Sequence, residues 1–369
     1  MTTPKPNKSG RPLPGARLWR WLSAKIWSRP PSDFGPRRGQ VTHVIILDGT
    51  MSLLEPGCET NAGIAYKLCR EIGPSLSIYY EPGLQWTDWR SAIDVLLGRG
   101  INRQIRRAYG YLASRYRPGD QIFLMGYSRG AYAVRSLAGV IDLVGLLRAE
   151  HATERNIREV YRHYEGAPGS QTARVFARAF CHPSISIEAI GVWDTVKSLG
   201  WPLPFLRRFT QRHHAFHNHQ LSHNVQSGFH ALAADETRAA FAPVMWESVE
   251  GWEGHVEQMW FPGSHGDVGG QLGGFDEARP LANIPLVWVL EQMESRGLPL
   301  PTGWRARFEL DPAAPSVGTF RGYGKWFVAR KTRLIGIDKS EQKHPSLAAR
   351  QALLGPNARS GILPQRFSG

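Results

Sequence analysis

The sequence predicts an α/β fold: a mostly parallel central sheet with helices on both faces. Three observations carry this expectation. Strand-length apolar runs alternate with amphipathic helical patterns, and parallel strands need crossovers of that kind. The strand cores read as buried rather than half-solvated. One strand, in "FLMGYSRGAYAVRSLAGV" (123–140), passes into a helical pattern through a Gly-x-Ser-x-Gly turn.

The elements follow in order. "VTHVIILDGT" holds a strand core, Val44 to Leu47, that ends in an Asp-Gly-Thr turn signal. "LSIYYEPG" (76–83) is a second short strand. "GINRQIRRAYGYLASRY" (100–116) places Ile101, Ile105, Ala108, Tyr109 and Leu112 at three- and four-residue steps, so it is a helix, which "RPGD" stops. "QIFLMGYS" is the strand before the turn and "RGAYAVRSLAGVIDLVGLL" the helix after it. "ISIEAIGVWDTV" (185–196) is another buried strand, and "HVEQMWFPGSHGDVGG" (255–270) a strand running into a glycine-rich loop. "IPLVWVLEQMESRGL" (284–298) is a late amphipathic helix. The segment 197–230, rich in Pro, His and Asn, reads as a cap or insertion outside the sheet. No internal repeat is visible.

Gly126-Tyr127-Ser128-Arg129-Gly130 has the pattern of a nucleophile elbow. There a serine sits on a sharp strand-to-helix turn with unusual backbone angles, and small residues two before and two after prevent collisions. The turn lifts the hydroxyl off the sheet. It also puts the Arg129 N–H at a helix start, where it can donate to an oxyanion. With this turn the expected fold becomes the α/β-hydrolase fold.

A serine hydroxyl needs a base, and the base needs an orienting acid. On this fold they follow in the order Ser, Asp/Glu, His. Asp194, ending the strand "EAIGVWD", fits the acid position, although it could instead cap a following helix. His265 in "FPGSHGDVGG" fits the base position, just past a strand end. Asp267, two residues on, is the alternative acid or a residue that fixes the loop. His230 in "FHALAADETR" follows no strand and is set aside. The second oxyanion donor is expected from "LDGT", as the backbone N–H of Gly49 or Thr50, with Asp48 holding that loop.

Composition bounds the remaining choices. The chain has 369 residues, 42% hydrophobic and 21% charged, as an ordinary soluble globular protein has. No apolar run approaches membrane-spanning length, and no secretory signal opens the chain. Cys58, Cys69 and Cys181 have no metal-like spacing and fit a reducing compartment. In "HHAFHNHQLSH" (213–223), His213/His217 and His219/His223 have four-residue spacing. With no Cys partner or HExxH pattern, the cluster reads as solvated or cap-stabilising. No metal and no cofactor are expected.

The net charge of +14 is uneven: the first forty residues carry nine Lys/Arg and one acid, a net of +8. Residues 1–40 read as a largely disordered basic leader, and 41–369 as the catalytic domain. Within the leader "ARLWRWLSAKIW" (16–27) is a basic amphipathic helix, placed on a membrane surface or on the protein's own core. A nucleic-acid-binding or interaction protein is the rival from another class. The charge sits in the leader without a recognition motif, so no nucleic acid is expected. A catalytically silent hydrolase-like protein is the third alternative.

Several segments together resemble one family. "ILDGT", the run from "GINRQIRRAYG" through "GYSRGAYAVRSLAG", "GVWDTVKSLG", "HALAADETRAAFAPVMW", "QMWFPGSHGDVGG" and "HPSLAAR" look like the α/β-hydrolase-like catalytic domain of the Tle-type phospholipase effectors of type VI secretion and their bacterial and fungal relatives. The resemblance covers about residues 41–350. It implies a Ser-Asp-His triad at Ser128, Asp194 and His265. It also implies a serine esterase or lipase acting on phospholipids or other acyl lipids, and a secretion-apparatus or immunity protein as partner. The chain would then be cytoplasmic in the producing cell and exported without a signal peptide. Two departures stand out: the large membrane-binding region of the longer effectors is missing, and Gly266 replaces a common serine. Peripheral membrane contact, where there is any, is expected through the basic leader with its Trp19, Trp21 and Trp27.

Overall fold

The computed structural model describes residues 38–83, 99–196, 221–248, 251, 254–321 and 327–355. The leader helix at 16–27, most of the proposed cap (197–220) and most of the histidine cluster lie outside these residues.

Seven parallel strands form one sheet: β1 (Thr42–Leu47), β2 (Leu76–Glu81), β3 (Gln121–Tyr127), β4 (Ala189–Trp193), β5 (Ser227–Ala233), β6 (His255–Phe261) and β7 (Glu341–Lys343), in the order β2-β1-β3-β4-β5-β6-β7. Every residue of β1, β4 and β5 is buried, which is why β1 and β4 read as nearly continuous apolar runs. Their side chains still alternate between faces. Ile45, Leu47, Ile122, Leu124, Ile190 and Val192 enter one core; Val44, Ile46, Phe123, Met125, Ala189 and Trp193 enter the other.

Helices cover both faces. The first core is closed by α2 (Arg99–Arg115), α3 (Arg129–Leu143) and α4 (Glu154–Gly166), with α5 (Gln171–Phe180) at its margin. The second is closed by α1 (Asn61–Glu71) and α7 (Arg279–Ser295), while the short α6 (His265–Gly269) sits between them. Helix α8 (Pro345–Leu354) follows β7. The start of α1 is fixed by Thr60, whose hydroxyl accepts from the Gly63 N–H. Nucleophile, acid and base candidates stand in the order Ser, Asp, His at the carboxyl ends of β3, β4 and β6, and the fold is an α/β-hydrolase fold.

Two expectations fail here. The cap placed over 197–230 does not reach its end, because Ser227–His230 belong to β5, the sheet strand between β4 and β6. Histidine and glycine in "SGFHALA" weaken the apolar signal, yet His230 is fully buried within the strand. The glycine-rich loop after β6 contains α6, a single helical turn. Ser264 and Asp267 form a capping box there, and the helix closes on Gly270 in the left-handed conformation (φ 73°).

Candidate active site

Ser128 sits between β3 and α3 at φ 58°, ψ −120°. A left-handed φ on a residue with a side chain costs free energy, and the surrounding packing must hold it. Gly126 and Gly130 allow it for a steric reason. A Cβ on Gly130 would stand 2.1 Å from the Leu47 carbonyl oxygen, and one on Gly126 would stand 2.8 Å from the Ala131 nitrogen. The two glycines therefore let α3 leave the sheet directly beside β1.

The Ser128 hydroxyl lies 2.9 Å from His265 Nε2, and His265 Nδ1 lies 2.6 Å from Asp194 Oδ2. All three residues are buried. Sequence positions 128, 194 and 265 thus converge at one point. His265 is the first residue of α6, and its N–H donates to Glu236 Oε2 at 3.1 Å. Its ring lies over Tyr127 (centroids 4.9 Å) and against the edge of Phe241 (4.9 Å). The imidazole is held by aromatic walls as well as by its polar partners.

Asp194 is left-handed (φ 38°), and Thr195 and Val196 after it are not helical, so it does not cap a helix beginning there. Its Oδ1 accepts from the Ala233 N–H at 3.0 Å. Arg333 donates to Oδ1 at 2.6 Å and to Oδ2 at 2.9 Å, in a fork that is itself buried. Burial alone favours the neutral acid. The Arg333 charge and the His265 hydrogen bond outweigh it and hold the Asp194 carboxyl well below the usual carboxylate range. Sequence reasoning missed Arg333, Glu236 and Phe241. Arg333 stands on an irregular strap with no motif around it; the capping pattern Ser-x-x-Asp at 264–267 was the one legible hint of α6.

Asp267 does not face the His265 ring. Its carboxylate accepts from Ser264 N–H and Oγ and from Ser316 Oγ and Val317 N–H, at 2.6–2.8 Å. It ties α6 to the 316–317 segment. Asp48 ends β1 and accepts from Gly49 N–H (2.6 Å), Thr60 Oγ1 (2.6 Å) and Tyr80 OH (2.7 Å). Burial pushes its pKa up to about 6, against these hydrogen bonds. The Gly49 N–H is therefore committed to Asp48. Of the two N–H groups expected to face an oxyanion from this loop, Thr50 is the one that shows no hydrogen bond among the described residues. The Arg129 N–H heads α3 next to the Ser128 hydroxyl.

His230 is a structural residue of the same rim. Its Nε2 accepts from the Thr195 N–H at 3.0 Å, which fixes the backbone next to Asp194. Burial pushes its pKa down to about 3. Among the described residues no group of His, Cys, Asp and Glu has the arrangement of a metal site.

The chain is similar to the uncharacterized Saccharomyces cerevisiae protein YEL023C, with 28% identity over 225 residues, 54% of this chain and 31% of the yeast protein. Among solved structures it is similar to an uncharacterized Pseudomonas aeruginosa protein (TM-score 0.42, 16% identity, 80% of this chain and 52% of that one). It is also similar to the Tle1 effector bound to the VgrG spike of the type 6 secretion system (TM-score 0.35, 18% identity, 64% and 52%). A third likeness is to a thermophilic esterase of Thermogutta terrifontis (TM-score 0.37, 13% identity, 74% and 88%). The chain thus spans about a third of the yeast relative and about half of the first two structures. The family model described as "T6SS, Phospholipase effector Tle1-like, catalytic domain" matches residues 42–292, more than half of the chain, and the chain belongs to that family.

Proposed function

We propose that the protein is a serine hydrolase that cleaves carboxyl esters of phospholipids or related acyl lipids through an acyl-enzyme. One observation carries the reading: the unbroken hydrogen-bonded line from Ser128 Oγ to His265 to Asp194, at 2.9 and 2.6 Å. His265 Nδ1–H donates to the Asp194 carboxylate, which leaves Nε2 as the acceptor for the serine proton. The Ser128 oxygen attacks the ester carbonyl as that proton moves to His265. Arg129 and Thr50 N–H groups receive the oxyanion. The imidazolium then protonates the leaving alcohol, and water, deprotonated by the same histidine, releases the acid. Asp194, kept ionised by Arg333, stabilises each imidazolium.

The family description supports a phospholipid as the substrate. It also supports export through a type VI apparatus, with a spike component as partner; Tle1 itself is bound to the VgrG spike in one similar structure. Among the described residues no helix is long and apolar enough to cross a membrane.

The test is hydrolysis of a p-nitrophenyl ester and of a mixed phospholipid extract, with fluorophosphonate labelling. Ser128→Ala should lose labelling and at least about 10⁴-fold in kcat while melting like the wild type. Retained activity in that variant, or a wild type that neither labels nor turns over ester, overturns the proposal. Release of free fatty acid from phospholipid by the wild type alone identifies the substrate class.

A further inference from the structure

The strap 327–334 runs along the rim of the candidate site. Its backbone is tied to the loop after β5: the Ala239 N–H donates to the Ala329 carbonyl at 3.0 Å and the Lys331 N–H to the Thr237 carbonyl at 2.7 Å. The partly buried residues recur every third position, at Phe327, Arg330 and Arg333, and the residues between them are exposed. Phe327 meets Phe241, the residue against His265, at 5.3 Å, and Arg333 grips Asp194. Their neighbours point out: Val328 is 89% exposed and Leu334 68% exposed. Phe320, beneath the Arg330 guanidinium, is 56% exposed. Single exposed aliphatics are ordinary, but Val328 and Leu334 both stand on a strap tied to the rim of the candidate site, with exposed Phe320 under its Arg330.

The charge of the segment selects what covers it. From 312 to 337 the sequence contains Arg321, Lys325, Arg330 and Lys331, besides the Arg333 already paired with Asp194, and no Asp or Glu. A second copy of the chain, docking symmetrically, would set this positive charge against itself. An anionic lipid surface offers opposite charge to the basic side chains and an apolar layer to Val328 and Leu334. We infer that the strap is the surface by which the protein seats on an anionic bilayer, with the rim of the site facing the headgroups. The inference rests on the serine-hydrolase reading for its purpose, since an acyl ester in a leaflet must be brought to Ser128.

The experiment is cosedimentation of the full chain with vesicles of phosphatidylglycerol and phosphatidylcholine, and with phosphatidylcholine alone. The variants are Val328→Asp/Leu334→Asp and Lys331→Glu. Every variant keeps the basic leader, so differences report on the strap. The wild type should partition onto anionic vesicles at least tenfold better than onto neutral ones. The double variant should lose at least tenfold, and Lys331→Glu about fivefold or more, with a shallower salt dependence. If the double variant melts early, Val328→Ser and Leu334→Ser singly replace it, with a loss of threefold or more expected from each. Equal partitioning of wild type and variants overturns the inference, as does a wild type that binds neither vesicle. Micromolar self-association of the wild type that the variants abolish, without vesicle binding, assigns the patch to a second copy and also overturns it. Ester turnover and fluorophosphonate labelling separate the two readings. A wild type inert to both whose vesicle binding still follows the variants keeps the docking surface and removes the hydrolase. An active wild type with unresponsive vesicle binding does the reverse.

Discussion

Asp194 is a carboxylate with no solvent contact, yet the proposed mechanism requires it to stay charged. Arg333 resolves this. It faces Asp194 with a two-pronged hydrogen bond and is itself nearly sealed from water. Arg333→Met would leave a buried charge without its partner and should lower the unfolding free energy at pH 7 by about 3 kcal/mol. The sign with pH follows from linkage. The folded Asp194 pKa lies well below its ordinary 3.8, so its stabilisation is present above that pH and lost as pH falls below it. In Arg333→Met the depression shrinks, so the acid loss below pH 4 should be shallower. Urea unfolding at pH 7 and pH 3 measures both; an equal acid slope in the two proteins would show that Arg333 does not set the Asp194 charge. This residue was illegible in the sequence. It stands 139 positions from Asp194 on an irregular strap, and nothing local marks a contact of that separation. Ser128, Asp194 and His265 were legible because each stands just past the end of a strand, where backbone geometry rather than long-range packing places the side chain.

The elbow is a property of two elements, β3 and α3, and of the gap between α3 and β1. Gly130 closes that gap, because a methyl there meets the Leu47 carbonyl at 2.1 Å and the Asp48 carbonyl at 2.5 Å. Both are backbone atoms and neither can rotate away. Gly130→Ala should therefore destabilise by about 3 kcal/mol or more and displace β1 with the Asp48–Thr50 loop. Gly139 lies on the same helix, yet a methyl there meets Tyr164 OH at 3.5 Å, an ordinary contact. Gly139→Ala should be neutral or stabilising by up to about 1 kcal/mol, from helix propensity. Chemical denaturation of the pair tests the claim; similar losses in both would mean that the helix, and not the elbow, sets the requirement. The elements misread from sequence fail for identifiable reasons. Strand β5 carries Gly228 and His230, residues that look like loop until the Thr195 and Gln258 partners of His230 are seen. Helix α6 contains glycines that disfavour helix, and a capping box overrides them over one turn.

At the scale of the whole molecule, buried ionisable groups set how stability follows pH, and two of them oppose each other. His230 bridges three segments: Nε2 accepts from Thr195, and Nδ1 meets Gln258 Oε1 at 3.4 Å, while Gln258 also holds both backbone groups of Trp246 at 2.8 Å. A backbone N–H can only donate, so Nε2 carries no proton and the ring is neutral. Its folded pKa is about 3 against an ordinary 6.5, so between those values the unfolded chain binds a proton that the folded chain refuses. Stability from this group therefore falls as pH falls, by about 1.4 kcal/mol per pH unit. Asp48 runs the other way. Its folded pKa is about 6 against 3.8, so between those values the folded chain holds the extra proton and stability falls as pH rises. The two slopes offset each other between about pH 4 and 6. Below pH 4 the Asp48 contribution ends, and the His230 and Asp194 losses act together, so acid unfolding should set in steeply there. Substituting His230→Gln keeps an acceptor for Thr195 and removes the titration. Relative to its own value at pH 6.5, the wild type should lose about 2 kcal/mol more than this variant by pH 5. Urea unfolding of the two proteins at half-unit steps from pH 7 to 4 measures that widening gap, and parallel curves would mean that the ring accepts a proton in the folded state.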